Sequence, residues 1–316
     1  MRLSLTKCHG SGNDFPMLDA STVRFDDDVW AAVAVTLADR AGPVGGDGLL
    51  LLTDGDDMGG DAAFGMRMFN PDGTEAETCL NGLRCVARAG FEATGLRRAT
   101  AKLATSAAAV AVGEELATGV YTIEERAGPA GLDVRDWPMR LGIERVIDAV
   151  VAPLSPTLRF TAVAVPNPHL IAFVEAVDEA ELVRVGLICE AAPDWLPNRA
   201  NVSFVEQRPG GLFVRTHERG AGLTNACGSA VAAAAVAAGL TGRVPTGSAT
   251  AVLTRGGPMR ARADADGTVT LWGNATFEWA GTVEVTGGRA HGLVVTERFE
   301  AESDSWAALL RDPIAT

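Results

Sequence analysis

The sequence contains no run of about 18 apolar residues, so no membrane-spanning helix is expected. Its opening, Met1-Arg2-Leu3-Ser4-Leu5-Thr6-Lys7, lacks the apolar core of a secretory signal. Lys/Arg runs and basic-aromatic stripes are missing, and the net charge is −13 at pH 7, so no nucleic-acid partner is expected. An acidic chain can still hold a small anion through a few arginines and backbone amides, because net charge governs mainly solubility. Cysteine is sparse, odd in number and widely spread: Cys8, Cys79, Cys85, Cys189 and Cys227. Without a Cys-x-x-Cys pair, neither a disulfide framework, a zinc ribbon nor a thioredoxin-type motif is indicated. Residues 54–61 are rich in Asp and Gly but lack the alternating acids and terminal Glu of a calcium loop, and read as a solvated hairpin connection. The expectation is a reduced, soluble, cytoplasmic protein needing no metal or cofactor.

What is present is a chain of 316 residues, 47% hydrophobic, enough for one large domain or two ordinary ones. Leu3, Leu5 and Cys8 alternate as in a strand and lead into a loop over residues 9–15, followed by a strand over 16–20. Residues 26–40 read as a helix with Val29, Trp30, Val33 and Leu37 on its apolar face, followed by a loop over 42–48. Strands are expected over 49–52, 63–69, 102–112 and 120–125. Asn70-Pro71-Asp72-Gly73 is a turn, and a helix starts near Asn81 and reaches Gly90. The Gly/Pro-containing stretch 128–138 reads as a domain boundary. Strands follow over 160–165 and 171–174, separated by the loop Pro166-Asn167-Pro168-His169. A helix over 178–185, strands over 201–205 and 212–216, and a helix from near Gly228-Ser229 through the run Ala230 to Ala238 complete this half.

The two halves repeat one order. An Asn-containing loop comes first (Asn13, Asn167). A cysteine comes later (Cys79, Cys227), nine residues after a polar residue at a strand end (Asn70, Glu218). A small-residue helix follows each cysteine. A thiol at a helix N-terminus meets unpaired N–H groups and the positive end of the helix dipole, which favour a thiolate and can hold a carboxylate. Two similar halves would set two such thiols across a cleft, where ligands commonly bind. Paired thiols suit one reaction well. A thiolate removes a proton from one face of a carbon and the opposing thiol returns one to the other face, giving the inverted stereoisomer. The amides that hold the substrate carboxylate also stabilise the charge that develops as the proton leaves. Glu218 and His169 are candidates to assist proton movement at one thiol, and Arg219 to pair with a carboxylate.

Four blocks resemble the signature of the diaminopimelate epimerases, in that family's order. They are His9-Gly10-Ser11-Gly12-Asn13-Asp14-Phe15, Phe69-Asn70-Pro71-Asp72-Gly73-Thr74-Glu75-Ala76-Glu77-Thr78-Cys79, Asn167-Pro168-His169, and Glu218-Arg219-Gly220 with Ala226-Cys227-Gly228-Ser229. The resemblance implies an α/β fold of two pseudo-symmetric domains, each a curved, mostly antiparallel sheet around a central helix, with the site in the cleft between them. One domain would take residues 1–127 and 281–316, with a returning strand over 281–285, and the other 128–280. The resemblance further implies a cofactor-independent two-base epimerase for LL- and meso-diaminopimelate, a supplier of lysine and peptidoglycan precursors. Cys79 would serve the LL isomer and Cys227 the meso isomer. Asn13, Asn70, Asn167, Asn201 and Arg219 would hold the substrate's amino and carboxylate groups, with backbone amides around Leu80, Asn81, Gly82, Gly228 and Ser229. The partner implied is a small zwitterionic amino acid, and a homodimer is compatible with the reading.

Some positions depart from the family pattern. Leu80 replaces a glycine, so it is strained if that position needs φ > 0; otherwise its side chain must find room, with the site one direction open to it. A racemase for another amino acid is therefore an alternative reading. Leu223 replaces a common Glu, which removes a polar contact near the second thiol. Pro43 replaces a glycine and Asn274 a proline. Residues 289–316 extend past the usual family end, with a short helix expected over 305–310. Cys8, Cys85 and Cys189 read as packed thiols, and His217 as a strand residue beside the site. A Cys227–His169 hydrolase or acyltransferase and a non-catalytic amino-acid-binding protein are the other readings weighed.

Overall fold

The structure is a computed structural model that describes residues 1–21, 23–55 and 62–311. Residues 56–61, most of the expected Asp/Gly-rich connection, lie outside the described residues. Among the described residues the chain clusters into two compact units, Met1–Glu125 with residues 272–311, and Arg126–Leu271. No described helix is long and apolar enough to cross a membrane.

The first unit opens on a hairpin tighter than its sequence suggests. Strands β1 (Arg2–Gly10) and β2 (Asn13–Asp19) pair through His9↔Asp14 and Gly10↔Asn13, so the expected loop over 9–15 shrinks to Ser11-Gly12. Both turn residues take left-handed backbone (φ 50° and 78°), the conformation that matches strand twist in a two-residue hairpin. Helix α1 (Asp27–Ala38) leads to β3 (Leu49–Thr53), parallel to β2, and β4 (Phe64–Phe69) runs antiparallel to β3. Helix α2 (Leu80–Thr94) leads to β5 (Arg98–Lys102), parallel to β4, and β6 (Ala107–Val112) returns beside β5. The single strand expected over 102–112 is therefore the second half of a hairpin, and β7 (Thr122–Ala127) follows it. Strand β3 is apolar at consecutive positions because both its faces are covered. Leu49 and Leu51 pack with Trp30, Val33 and Leu37 of α1, whereas Leu50 and Leu52 pack with Leu83, Val86 and Phe91 of α2.

The second unit contains β8 (Ala149–Val150), β9 (Arg159–Ala164), β10 (Pro168–Val174), α3 (Glu179–Glu190), β11 (Asn201–Arg208), β12 (Gly211–Glu218), β13 (Gly222–Thr224), α4 (Gly228–Leu240), β14 (Thr250–Thr254), β15 (Gly257–Ala263) and the start of β16 (Val269–Asn274), whose residues from Trp272 belong to the first unit. Pro168 and His169 thus belong to a strand rather than to the expected loop, and α3 runs five residues past the expected end at residue 185. Strands β9 and β10 pair antiparallel, β10 and β11 parallel, β11 and β12 antiparallel, β12 and β14 parallel, and β14 and β15 antiparallel. This is the order of β1 to β6 in the first unit, with α1 matching α3 and α2 matching α4. Each unit is thus a mixed, mostly antiparallel sheet with a helix spliced between its fourth and fifth paired strands. Helix α4 is built of Ala, Val and Gly apart from Ser229 near its start and Leu240 at its end, and positions 228–238 are all buried. A helix apolar on every side belongs in the middle of a core, and its small side chains let strands approach closely.

The chain then returns to the first unit. Strand β17 (Thr276–Thr286) pairs with β1 and is longer than the strand expected over 281–285, β18 (Arg289–Arg298) pairs with β17, and α5 (Glu300–Arg311) exceeds the expected 305–310. Glu302 grips Arg88 of α2 with both oxygens (2.5 and 2.7 Å) and accepts from the Phe277 N–H (3.1 Å). The Trp306 ring packs tilted against that of His9, with centroids 5.5 Å apart.

Two consequences are measurable. Arg84 and Glu125 are both fully buried and 2.9 Å apart. Arg84→Met strands Glu125 and should lower stability in chemical denaturation by about 3 kcal/mol, with part regained in Arg84→Met/Glu125→Leu. Burial, reinforced by Arg84 and opposed by Asp14, brings His9 down from 6.5 to about 4. The unfolded chain therefore binds one more proton at His9 as pH falls from 6.5 to about 4, and stability is lost over that window. Denaturation midpoints at several pH values should show a shallower acid-side decline in His9→Gln, by up to about 1.4 kcal/mol per pH unit.

Candidate active site

Each of the two paired cysteines is the residue immediately before a helix. Cys79 (φ −149°, ψ 102°) and Cys227 (φ −127°, ψ 110°) are both extended, so the chain turns into α2 at Leu80 and into α4 at Gly228. The helix expected from Asn81 therefore starts one residue earlier.

In the first unit the Cys79 sulphur accepts from the Gly82 N–H at 3.4 Å. Glycine leaves room for packing there, since a Cβ at Gly82 would stand 2.7 Å from the end of the Leu50 side chain and push it aside. A Cβ at Gly10 would stand 2.3 Å from the Asn81 carbonyl, so β1 and the first turn of α2 touch backbone to backbone. Asn81 donates to Asn13 Oδ1, and Asn13 donates to Asp47 at 3.1 Å. Arg84 fixes the other end of Asn81, donating to its Oδ1 at 2.6 Å. The same guanidinium reaches Ser11 Oγ (2.9 Å), the Asn274 carbonyl (3.1 Å) and Glu125 (2.9 Å). Asn274 in turn accepts from the Ser11 N–H (2.7 Å) and donates toward His9 and Thr276. Asn70 donates to Thr74 Oγ1 at 2.9 Å, and so supports its own turn.

Leu80 has no left-handed backbone; among the described residues the non-glycine ones with positive φ are Ser11, Asp148, Ala192 and Arg199. It is half-buried against the α2 side of the core. The strain expected if this position needed φ > 0 is absent.

In the second unit Cys227 lies beside a carboxylate and a hydroxyl. Glu218, at the end of β12, hydrogen-bonds the Cys227 thiol, and Ser229 Oγ stands 3.4 Å from the sulphur. Thr224 of β13 donates to Glu218, and Arg215 holds the Thr224 carbonyl. The β12–β13 register places Thr224, not Leu223, on the Glu218 side; Leu223 packs into the core under α3. No polar contact near the thiol is therefore lost at Leu223. His217 also faces α3. A Cβ at Gly186 would stand 2.3 Å from its ring, and strand alternation puts it on the face opposite Glu218, so it does not adjoin the site.

His169 Nε2 lies 3.1 Å from Asn167 Oδ1 and 3.0 Å from Ser229 Oγ. The Asn201 side chain accepts from the Arg219 N–H at 2.9 Å, and the Arg219 guanidinium donates to the Asn198 carbonyl at 3.0 Å. In β10 and β11, His169 and Asn201 are directly paired.

Electrostatics reverse two expectations. The Cys227 thiol is pushed well above its ordinary range by burial, and the Glu218 charge adds to this against the Ser229 hydroxyl and the Ala230 N–H. Loss of water around the sulphur outweighs the helix N-terminus. Glu218 is itself raised by burial, against hydrogen bonds from Thr224 and Cys227. His169 is brought down to about 3 by burial, with Arg219 adding to the shift, so its imidazole rests neutral at working pH. The remaining thiols are packed. Cys8 is raised by burial and by Cys85, and burial takes Cys189 to about 12.

Sequence reasoning missed Arg84, Asp47 and Thr224, and gave Asn274 no role. Nothing in the pattern around Arg84 distinguishes it from a solvated helix residue; only its burial does.

Residues 161–278 match the family model for diaminopimelate epimerase. The chain is 35% identical to diaminopimelate epimerase of Clostridium acetobutylicum over 97% of this chain and 93% of that one. It is 39% identical to that of Enterococcus faecalis over 75% and 74%. Among solved structures, a predicted epimerase from Pseudomonas aeruginosa is similar at a TM-score of 0.65 and 20% identity, covering 90% of this chain and all of that one. A hydroxyproline epimerase from Agrobacterium vitis is similar at 0.61 and 14%, covering 98% of each chain. At these identities the structures speak to the fold alone.

Because Leu80 is packed rather than strained, Leu80→Gly should destabilise the protein by about 2 kcal/mol in chemical denaturation, from lost burial and helix propensity. A variant as stable as the parent would show that the side chain contributes no packing.

Proposed function

The chain belongs to the diaminopimelate epimerase family, and from that premise we propose that it is a cofactor-independent isomerase interconverting LL- and meso-diaminopimelate. The observation that carries the reading is the matched pair of helix-capping cysteines, each at the same place in one of two units of the same strand order. The reaction requires the two sulphurs to reach opposite faces of one α-carbon. Cys79 takes the proton of the LL isomer and Cys227 that of the meso isomer. At Cys227 the proton has an acceptor in the Glu218 carboxylate, which leaves a thiolate to act as the base. The N–H groups of Asn81, Gly228 and Ser229, at the two helix starts, suit a substrate carboxylate. Asn201, whose Oδ1 is engaged by the Arg219 N–H, offers its amide NH2, and Arg219 a guanidinium. Asn70 and Asn167 complete the polar set. Asn13 contributes chiefly by aligning Asn81.

The packing of Leu80 removes the observation that motivated a different substrate, and His169 bonds to Ser229 and Asn167 in a way that leaves the hydrolase reading without a base. We place the enzyme in the cytoplasm, acting on a small zwitterion, with a homodimer compatible with this role.

Incubation of the purified protein with LL-diaminopimelate in D2O should place deuterium at the inverted α-carbon, read by mass spectrometry. Cys79→Ala and Cys227→Ala should each lower the inversion rate by about 100-fold or more. Parent protein that leaves the substrate unlabelled would overturn the assignment.

A further inference from the structure

The geometry points to a directed hydrogen-bond chain in the second unit, Asn167–His169–Ser229–Cys227, in which the Ser229 hydroxyl donates to the Cys227 sulphur and Asn167 and His169 are positioning residues. It rests on the reading of Cys227 as a proton carrier and adds the group that steadies its charged form.

The direction of the chain follows from what each atom can do. Asn167 Oδ1 stands 3.1 Å from His169 Nε2, and the chain takes the tautomer with the ring proton on Nε2, whose N–H the amide oxygen accepts. Ser229 Oγ lies 3.0 Å from that same nitrogen. In that tautomer Nε2 cannot accept, so its one N–H is shared between Asn167 Oδ1 and Ser229 Oγ, and the Ser229 proton turns away from the ring. The sulphur of Cys227, 3.4 Å away, receives it. His169 Nδ1 is buried with no hydrogen-bond partner, which accords with an imidazole fixed in one tautomer rather than one passing protons. His169 is fully buried, and Ser229 and Cys227 are 9% and 8% exposed, so water does not readily replace any link.

The Glu218 carboxylate also interacts with the sulphur. Cys227 therefore has a partner in either protonation state. As a thiol it donates to the Glu218 carboxylate. When that proton passes to Glu218, the thiolate accepts from Ser229 Oγ and from the Ala230 N–H. The proton stays between Sγ and the carboxylate, so no charge is gained or lost. Glu218 is the charged group that bears on Cys227, and Arg219 the one that bears on His169.

The test measures Cys227 alkylation by iodoacetamide, located by peptide mass spectrometry, alongside steady-state epimerisation. At fixed pH, Ser229→Ala should be alkylated about tenfold more slowly, with the pH profile displaced to higher pH. It should lower kcat by a similar factor and leave KM within about twofold, while Ser229→Thr, which keeps the hydroxyl, should restore most of both. His169→Phe should move alkylation in the same direction by less, without removing a limb from the pH–rate profile. Alkylation of Ser229→Ala at the parental rate, or an effect on KM alone, would overturn the proposal. If Ser229→Ala does not fold, His169→Phe alkylated at the parental rate does so instead. Failure of the functional reading is separable. Full inversion activity in Cys227→Ala would end that reading, whereas the alkylation comparison reports on the sulphur whatever the substrate.

Discussion

A single buried guanidinium holds the first unit's candidate site together. Arg84 has no solvent to neutralise it, so its hydrogen bonds must all be met within the protein, and each one fixes a different segment. One anchors the Ser11 turn, one the Asn274 carbonyl, one Glu125 and one the side chain of Asn81 at the start of α2. Asn81 then aligns Asn13, and Asp47 aligns it from the other side. The helix start that presents Cys79 is therefore set by charge satisfaction deep in the core. This is costly chemistry, since burial lifts Glu125 to about 7 even beside Arg84. What the cost secures is geometry: alternative placements of the turn would leave the guanidinium unsatisfied.

The second unit reaches the same topology by another route. Helix α4 has no charge inside the core and is placed by close packing of Ala and Val. Polar order is concentrated at its first turn, around Cys227, Ser229, His169 and Glu218. The two halves thus share strand order and the position of the cysteine while differing in what holds the helix start. The sulphur environments differ accordingly: Cys79 is half-exposed and accepts from a backbone N–H, whereas Cys227 is buried beside a carboxylate and a hydroxyl.

Much of this was legible in the chain. The alternation in β1, the four-leucine strand β3, the Asn70–Gly73 turn and the Ala run of α4 all reflect local chemistry acting over a few residues. The repeat was legible as well, because equal spacing from a strand end to a helix start survives when the residues between change. Less legible were the element ends: His9–Phe15 contains turn formers throughout, yet cross-strand pairing absorbs five of its seven residues into a hairpin. The polarity of the environment around the thiol was also misjudged from sequence, because a helix N-terminus lowers a thiol pKa only if burial does not raise it more.

The sequence by itself determined the identity of the paired cysteines, the mixed α/β order and the family, since each depends on residue type and spacing along the chain. Only the tertiary structure decided that Leu80 is packed and unstrained, that Thr224 rather than Leu223 faces Glu218, that His169 is neutral, and that Arg84 and Asn274 organise the first helix start. Those facts depend on which face of a strand a side chain occupies and how much water it loses. Both are set by elements far away in sequence, such as β17 and α5, which return to cover β1 and α2.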